Sequence, residues 1–260
     1  MIVSKGRLVK PKGEAGHVAG QGAGVYLKQV FFSRTERTMD DDDLQQRLFH
    51  YSEAEELANR WTHAPGILLS AAGAFALVNL AVRMGDTPRI VSASIYTATL
   101  LIFYCISTIY HSVRRPRLRY LFRILDHACV YLVIAGSYTP FAMVTLKGAW
   151  GYWLLVTVWG LGMVGAFMKL FTTHRLPYIG PLLYLGLGWL AVIAIKPLAA
   201  GLALNGLVLL FAGGAAYTLG VVFYLWDRLP YNHAIWHLFV LAGSACHYAA
   251  IFYYVTARNS

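Results

Sequence analysis

The sequence predicts an all-α membrane protein: a bundle of seven transmembrane helices with the N-terminus in the cytoplasm and the C-terminus outside. Of its 260 residues, 58% are hydrophobic and only 13% are charged, whereas about 25% of the residues of a soluble globular protein are charged. The apolar residues also form runs that are long enough to cross a bilayer. This composition excludes a soluble enzyme, a disordered chain and a coiled coil.

Seven stretches contain about the 20 apolar residues that a bilayer core of about 30 Å requires. Apart from Tyr and Cys, their only ionisable side chains are His111, His237 and His247. Tyr and Trp cluster near several ends, as at Trp150 and Trp226, which is typical of an interfacial belt. The predicted spans are residues 64–82, 90–112, 128–146, 149–168, 176–195, 202–226 and 234–255.

The distribution of Lys and Arg sets the orientation, because positive charge resists translocation. Seventeen of the 22 Lys and Arg residues lie in the N-terminal tail and in every second connection, and five lie on the other side. When the tail is left out, eight Lys and Arg residues still lie on the predicted cytoplasmic side, against five on the other side. The net charge of +10 does not indicate nucleic-acid binding, because the basic residues stand between apolar runs rather than on one water-exposed face.

Residues 1–51 are predicted to be a disordered or poorly ordered polar tail, followed by a membrane domain over residues 52–260. The tail is rich in Gly, Lys and Asp and has no apolar run long enough for a signal peptide. Met39 offers a second translation start, so residues 1–38 are either an extension or an artefact of start-codon choice.

A helix is predicted to start before the first span, with Ser52 as N-cap and Glu55 in capping-box position. This helix is expected to run along the inner membrane surface. Polar groups that lipid should exclude then occur at one depth in four separate segments. All lie at the cytoplasmic ends of the first, second, third and seventh spans: Glu56, Asn59, His63, Ser107, His111, Asp126, His127, Asn232, His233 and His237.

The last span carries a chelating pattern. His233 and His237 are four residues apart, so both imidazoles project from one face of a helix. A nitrogen of His111 would complete three protein ligands and leave a fourth tetrahedral position for water, as in catalytic zinc sites. Zn²⁺ is the preferred ion, although imidazole also suits Cu, Ni and Fe. Alternatively, these histidines are interfacial capping or snorkelling groups.

Asp126 and Ser107 are the candidate catalytic residues beside this metal. Asp126 would hold the water or orient a ligand imidazole, and Ser107, one turn from the histidine of the second span, would hydrogen-bond the water or a substrate group. His63 is either a fourth ligand or a hydrogen-bonded partner of Glu56 and Asn59, and the second reading is preferred.

Other polar and small residues are given structural roles. His127 points about 100° away from Asp126, and His247 is expected to form a hydrogen bond within the bundle. Residues 136–140, Gly-Ser-Tyr-Thr-Pro, either bend the third span and shape a cavity or pack closely against a neighbouring helix. The three cysteines are predicted to be reduced packing residues, since they lie in apolar sequence without metal-type spacing: Cys105, Cys129 and Cys246.

Several of these segments together resemble the hemolysin III family, the bacterial branch of the superfamily that contains the adiponectin and progestin receptors. The resemblance covers about residues 52–255, and residues 1–51 match nothing that we can name. Its motifs are ELANRWTH at 56–63, STIYH at 107–111, LDH at 125–127 with GSYTP at 136–140, and HAIWH at 233–237.

The resemblance implies a multi-pass protein of the bacterial inner membrane with zinc near the inner leaflet. In the receptor relatives, the histidines matching His111, His233 and His237 bind zinc. The aspartate matching Asp126 contacts the zinc-bound water, and the serine matching Ser107 lies beside that site. The family is also grouped with alkaline ceramidases, which implies hydrolysis of a lipid amide, whereas the name of its bacterial members implies membrane lysis.

Three functions stay open from the sequence. The first is a zinc-dependent hydrolase of a lipid amide or ester, in which Asp126 accepts a proton from the attacking water and Ser107 fixes its geometry. The second is a pore-forming cytolysin, which has little support because the spans carry no continuous polar stripe. The third is a non-enzymatic membrane sensor with structural zinc. Membrane lipids are the expected partners, and the sequence does not determine the oligomeric state.

Overall fold

The computed structural model describes Leu48 and residues 51–172 and 179–257. These residues belong to one compact unit, Leu44–Ser260, whose described part consists of helices and short connections without strands. The predicted polar tail, including Met39, lies outside the described residues except for Leu48 and Tyr51.

Eight α-helices follow one another within the described ranges. They are α1 (Glu53–Met84), α2 (Thr87–Tyr110), α3 (Pro116–Pro140), α4 (Gly148–Thr172), α5 (Ile179–Gly188), α6 (Ile195–Gly201), α7 (Leu204–Tyr224) and α8 (Asn232–Ala250). Two of them continue into π-helices, α3 at Phe141–Leu146 and α8 at Ile251–Thr256, and a 3₁₀ turn at Trp189–Val192 follows α5.

Six of these helices are long and apolar enough to cross a membrane, and the pair α5 and α6 provides a seventh span if it is taken as one broken span. The all-α membrane bundle predicted from the sequence is therefore confirmed. The fifth span differs in detail from its prediction over residues 176–195. It ends at Gly201 and bends by 57° between its two helices.

The fifth span changes from α-helix to a 3₁₀ turn after Gly188, ahead of its bend, and a side chain of α3 contacts the backbone there. Irregular backbone in a membrane span carries polar groups that lipid cannot hydrogen-bond. The hydroxyl of Tyr138 donates to Gly188 O over 2.5 Å and accepts from Ala191 N over 2.8 Å. One tyrosine thus serves a carbonyl and an amide on either side of the change from α-helix to 3₁₀ turn.

Helix α1 corrects one expectation and confirms another. The capping box is present, since Ser52 Oγ accepts from Glu55 N over 3.2 Å and Ser52 N donates to Glu55 Oε2 over 2.9 Å. The separate helix expected along the inner surface is not formed, because α1 runs through Pro65 to Met84 without a break. No Gly or Pro interrupts residues 52–64, so the first turns continue directly into the span.

The helices pack closely where small residues allow it. Helix α2 packs between α1 and α3, and α8 packs against α7 and α1. A Cβ on Gly136 would lie 2.2 Å from Oγ1 of Thr99 on α2, so Gly136 serves close packing, whereas Ser137 and Tyr138 line a cavity. The helix does not stop at Pro140 but changes there into the π-helix. Cys105, Cys129 and Cys246 are free thiols, as predicted.

Candidate metal site

Three histidines from two helices converge at the cytoplasmic end of the bundle, as that end is assigned by the basic residues. His111 caps the C-terminus of α2, and His233 and His237 lie on the first turns of α8. One nitrogen of each ring lies within 4.8 Å of the others, and the residues are only 4%, 4% and 0% exposed. The predicted trio is thus brought together and could hold a metal ion.

The nitrogens that face one another fit a bound cation. His111 Nε2 and His233 Nε2 are 3.2 Å apart, close to the separation of about 3.3 Å expected for two nitrogens bound to zinc at roughly 2.0–2.1 Å with tetrahedral angles. His237 Nε2 is buried and has no hydrogen-bond partner in the described part of the chain. Because an unpaired buried nitrogen is destabilising, a cation at this point would satisfy the donor set.

Glu56 on α1 orients the ring of His111. The Nδ1 of His111 donates to Glu56 Oε2 over 2.8 Å, and Arg119 holds the other carboxylate oxygen. A proton on Nδ1 leaves the lone pair on Nε2, which is the form that binds a metal. Glu56 was predicted to lie in the polar layer, but not to be the partner of His111. The sequence signal for a role of Glu56 at the site was its position on α1, two turns before His63 and on the same helix face.

The backbone of α1 orients the ring of His237 in the same way. Its Nδ1 donates to the carbonyl of Asn59 over 3.1 Å and lies 3.0 Å from the hydroxyl of Thr62. This contact again leaves the Nε2 lone pair free for a ligand. For His233, in contrast, Nδ1 is buried without a partner among the described residues.

The preferred prediction for His63 is wrong. Its Nδ1 is hydrogen-bonded to Ser107 Oγ over 2.8 Å, not to Glu56 or Asn59. Its ring stacks on that of His237, with centroids 3.5 Å apart and planes inclined by 18°. Because Glu56 and His63 are seven residues apart, about 10 Å along α1, they meet α2 at different depths. His63 is also not among the three histidines whose ligand atoms converge.

Ser107 and Asp126 adjoin the histidines without belonging to the converging trio. Both are buried, at 0% and 3% exposure. The carboxylate of Asp126 on α3 interacts with the Ser107 hydroxyl and with the His111 ring. His127 is not among the converging histidines, as predicted. Its Nδ1 donates to the carbonyl of Arg123 over 2.8 Å, and the same nitrogen lies 3.7 Å from Asp126 Oδ2.

Two neighbouring cavities with mainly apolar walls lie beside this site. A small cavity lined by Asp126 and His233 shares wall residues with a larger one of about 90 Å³ between α3, α5, α7 and α8. At the far end of the larger cavity, His247 Nε2 donates to the carbonyl of Leu210 over 3.2 Å, which confirms its predicted bond within the bundle. The shared wall residues are Val130, Tyr184, Val221 and Trp236.

Tyr51 covers the site from the cytoplasmic side, which the sequence did not suggest. Its ring centroid lies 5.3 Å from that of His233 and 6.4 Å from that of His111. Burial raises the pKa of the Tyr51 phenol, so the hydroxyl stays protonated near neutral pH. The start of α1 is also tied to the start of α8, since Tyr231 N donates to Glu55 Oε1 over 3.3 Å.

Known proteins are similar in sequence to this chain over most of its length. The family described as haemolysin-III related matches residues 51–248. Hemolysin-3 of Bacillus cereus is 43% identical over 206 residues, which cover 79% of this chain and 94% of that protein. The Hemolysin-3 homolog of Bacillus subtilis (strain 168) is 42% identical over 200 residues, covering 77% and 94%. The Monocyte to macrophage differentiation factor of Homo sapiens is 30% identical over 207 residues, covering 77% and 84%.

Proposed function

The chain belongs to the haemolysin-III-related family and is a multi-pass cell membrane protein, and we propose that it is a zinc-dependent hydrolase of an amide or ester bond in a membrane lipid. One observation carries this proposal. Three buried histidines with converging nitrogens lie together, and one of them lines a small apolar cavity beside a buried carboxylate. The proposal therefore combines a donor set that suits a metal with apolar walls that suit an acyl chain.

Zinc is the ion that suits this donor set best. His111, His233 and His237 present three imidazole nitrogens, and three protein ligands are typical of catalytic zinc sites. When bound, zinc would act as a Lewis acid that polarises a carbonyl and activates water. Glu56 and the Asn59 carbonyl hold two of the rings in the tautomer that such binding needs.

We assign Asp126 the role of general base in the proposed reaction. Its carboxylate lines the cavity together with His233 and interacts with Ser107 and His111. In the proposed reaction it takes a proton from the attacking water and returns it to the leaving amine or alcohol. Ser107, held by His63 over 2.8 Å, keeps the carboxylate in place.

The cavity indicates an apolar substrate. Its walls are mainly aliphatic and aromatic, and it lies between helices whose outward-facing side chains are largely apolar. An acyl chain in this space would place its carbonyl near Asp126 and His233 while the chain stays in an apolar environment. Water is added across the bond, so the products are a fatty acid and an amine or alcohol.

The test is lipid hydrolysis by the full chain, purified in detergent and supplied with zinc. We expect release of fatty acid from a ceramide or another acyl lipid, measured by mass spectrometry. Replacing His237 by Ala should reduce the rate by more than the roughly 10–100-fold that the loss of an outer partner costs. His174→Ala, in a connection between predicted spans, is the matched control. Equal release by the wild-type chain and His237→Ala would reject the proposal.

A second function is favoured by the position of the trio. His111 lies on α2 and the other two histidines lie on α8, so a bound ion would join two helices that are far apart in the sequence. A protein in which zinc serves only this structural purpose would keep metal and stability but show no hydrolysis with any acyl lipid. The same assay distinguishes the two functions.

A further inference from the structure

An outer groove lies between α1 and α8, with α2 at its floor. Its volume is about 250 Å³, larger than that of either cavity beside the histidines. Leu69 and Ala245 on its rim are exposed, so the groove opens to the outside of the bundle, where a membrane span meets lipid. The residues that line it include Leu69 and Ser70 of α1, Thr97 and Tyr104 of α2, and Ser244 and Ala245 of α8.

Most of the hydroxyls in the outer groove are paired within the protein. Those of Ser70 and Thr97 donate to backbone carbonyls of their own helices, over 3.0 and 2.8 Å. The hydroxyl of Tyr248 donates to a backbone carbonyl of α1 over 2.9 Å, and that of Ser244 lies 3.0 Å from the hydroxyl of Tyr217 on α7. Each of these groove hydroxyls therefore has a partner in the chain.

Tyr104 is the exception among the described residues that line the groove. It is 1% exposed, and its hydroxyl has no hydrogen-bond partner in the described part of the chain. Ser244 lies near it, but that hydroxyl is already bonded to Tyr217. The ring of Tyr104 packs directly on Gly66, where a Cβ would have no room. An unpaired buried hydroxyl is destabilising, and an acceptor oxygen of a molecule in the groove would pair it.

The depth of this hydroxyl limits the kind of acceptor. Tyr104 comes seven residues before His111, about 10 Å along α2, and its ring meets that of His63 edge-on, with centroids 5.2 Å apart. It therefore lies well inside the second span, whereas the ester carbonyls of diacyl lipids lie at the edge of the hydrocarbon core. A charged group at this depth is unfavourable. The matching ligand is uncharged and carries its acceptor oxygen within the hydrocarbon layer.

We propose that the outer groove binds an uncharged lipid with a carbonyl oxygen in its apolar part, the class to which isoprenoid quinones belong. A quinone oxygen only accepts hydrogen bonds, which matches the phenol of Tyr104 as donor. The groove is smaller than the roughly 300–1,000 Å³ of pockets that enclose a whole ligand, so it takes the carbonyl end and leaves the apolar tail in lipid. The site is independent of the proposed hydrolysis, since it concerns binding alone.

The test is native mass spectrometry of the full chain in detergent with a short-tailed ubiquinone. The wild-type chain should bind the quinone. Tyr104→Phe keeps the ring and removes the donor, so binding should weaken by about fivefold, the contribution typical of one neutral hydrogen bond. Ala245→Trp should abolish binding, because the indole fills the groove. If one of the two variants does not yield a monodisperse protein, the other decides.

Two matched variants separate this groove from the rest of the outer surface. Ala242→Trp puts the same side chain at an exposed position of α8, one turn earlier and outside the groove. Tyr253→Phe removes the hydroxyl of a tyrosine that is 63% exposed. Neither change should affect binding of the quinone.

Equal binding of the quinone by the wild-type chain and Tyr104→Phe would overturn the proposal, as would an equal loss in Ala245→Trp and Ala242→Trp. The same spectra recorded with phosphatidylcholine identify the alternative occupant. If the wild-type chain binds this lipid but not the quinone, and Ala245→Trp loses it, the groove holds an ordinary acyl chain and the proposed ligand class is rejected.

Discussion

His111 and His237 are both held by groups on α1, a helix that contributes no histidine to the converging trio. The carboxylate of Glu56 accepts from one ring and the carbonyl of Asn59 accepts from the other. Each bond fixes the ring and leaves the Nε2 lone pair available to a metal. At the residue scale, α1 would therefore set the affinity of the proposed site for a metal, while Asp126 would bear on the chemistry beside it.

Replacing Glu56 by Gln should weaken metal binding by about 10–100-fold, because an amide holds the His111 ring less firmly and no longer raises its basicity. Zinc affinity is measured by competition with a chromogenic chelator. Glu53→Gln is the control, since Glu53 is 87% exposed and pairs only loosely with Arg114 over 3.4 Å. Equal affinities for the two variants would show that Glu56 does not support the site.

Replacing Asp126 by Asn should separate metal binding from catalysis. The amide keeps the volume of the side chain but cannot accept a proton, so hydrolysis should fall by about 10²–10⁴-fold. Metal content, measured by elemental analysis, should stay at the wild-type level. A parallel loss of metal would instead make Asp126 a ligand or its direct support.

At the scale of the helices, backbone irregularities shape the bundle around the cavity. Helix α3 passes into a π-helix after Pro140, and α5 passes into a 3₁₀ turn after Gly188. Tyr138, close to the end of α3, hydrogen-bonds to Gly188 O and Ala191 N in the second of these irregular segments. Close contact of α3 with α2 at Gly136 holds the same region from the other side.

Replacing Gly136 by Ala should destabilise the protein, by about 1–3 kcal/mol, because the new Cβ would lie 2.2 Å from Thr99 Oγ1. The measurement is the midpoint of thermal unfolding in detergent. Gly160→Ala on α4 is the matched control, since a Cβ there meets nothing within 4 Å and alanine favours a helix. A midpoint for Gly136→Ala at or above that of the control would show that α2 and α3 can move apart freely.

At the scale of the whole molecule, the site lies where the first and the last described helices meet. Helices α1 and α8 begin beside each other, tied by the bond from Tyr231 N to Glu55 Oε1, and His111 brings in the end of α2. A cation bound to the three histidines would therefore link segments that are more than 120 residues apart. Its free energy of binding would add to that of folding.

Removal of the metal should lower the thermal stability of the whole bundle. For an ion present at about 100 times its Kd, the loss is about 2.7 kcal/mol. Unfolding of the purified chain is followed with and without a strong chelator. His237→Ala should show a lower midpoint that chelation no longer changes. An identical midpoint for the wild-type chain before and after verified metal removal would contradict this role.

Much of the site followed from spacing and depth. The four-residue spacing of His233 and His237 placed both rings on one helix face, and the alternation of spans placed His111, Ser107 and Asp126 at the same level. The partners of these residues did not follow. Glu56, Asn59 and His63 share one face of α1, but which group each meets depends on the height at which α2 and α8 cross it.

The sequence by itself determined the membrane bundle, its orientation by charge and the depth of the polar layer, because hydropathy and the distribution of Lys and Arg act along the chain. Only the tertiary structure decided that Glu56 serves His111, that His63 serves Ser107, that Tyr51 covers the trio and that Tyr104 lines the outer groove. These are contacts between helices distant in sequence, and they are selected by packing and by the need to pair buried polar groups where water is absent.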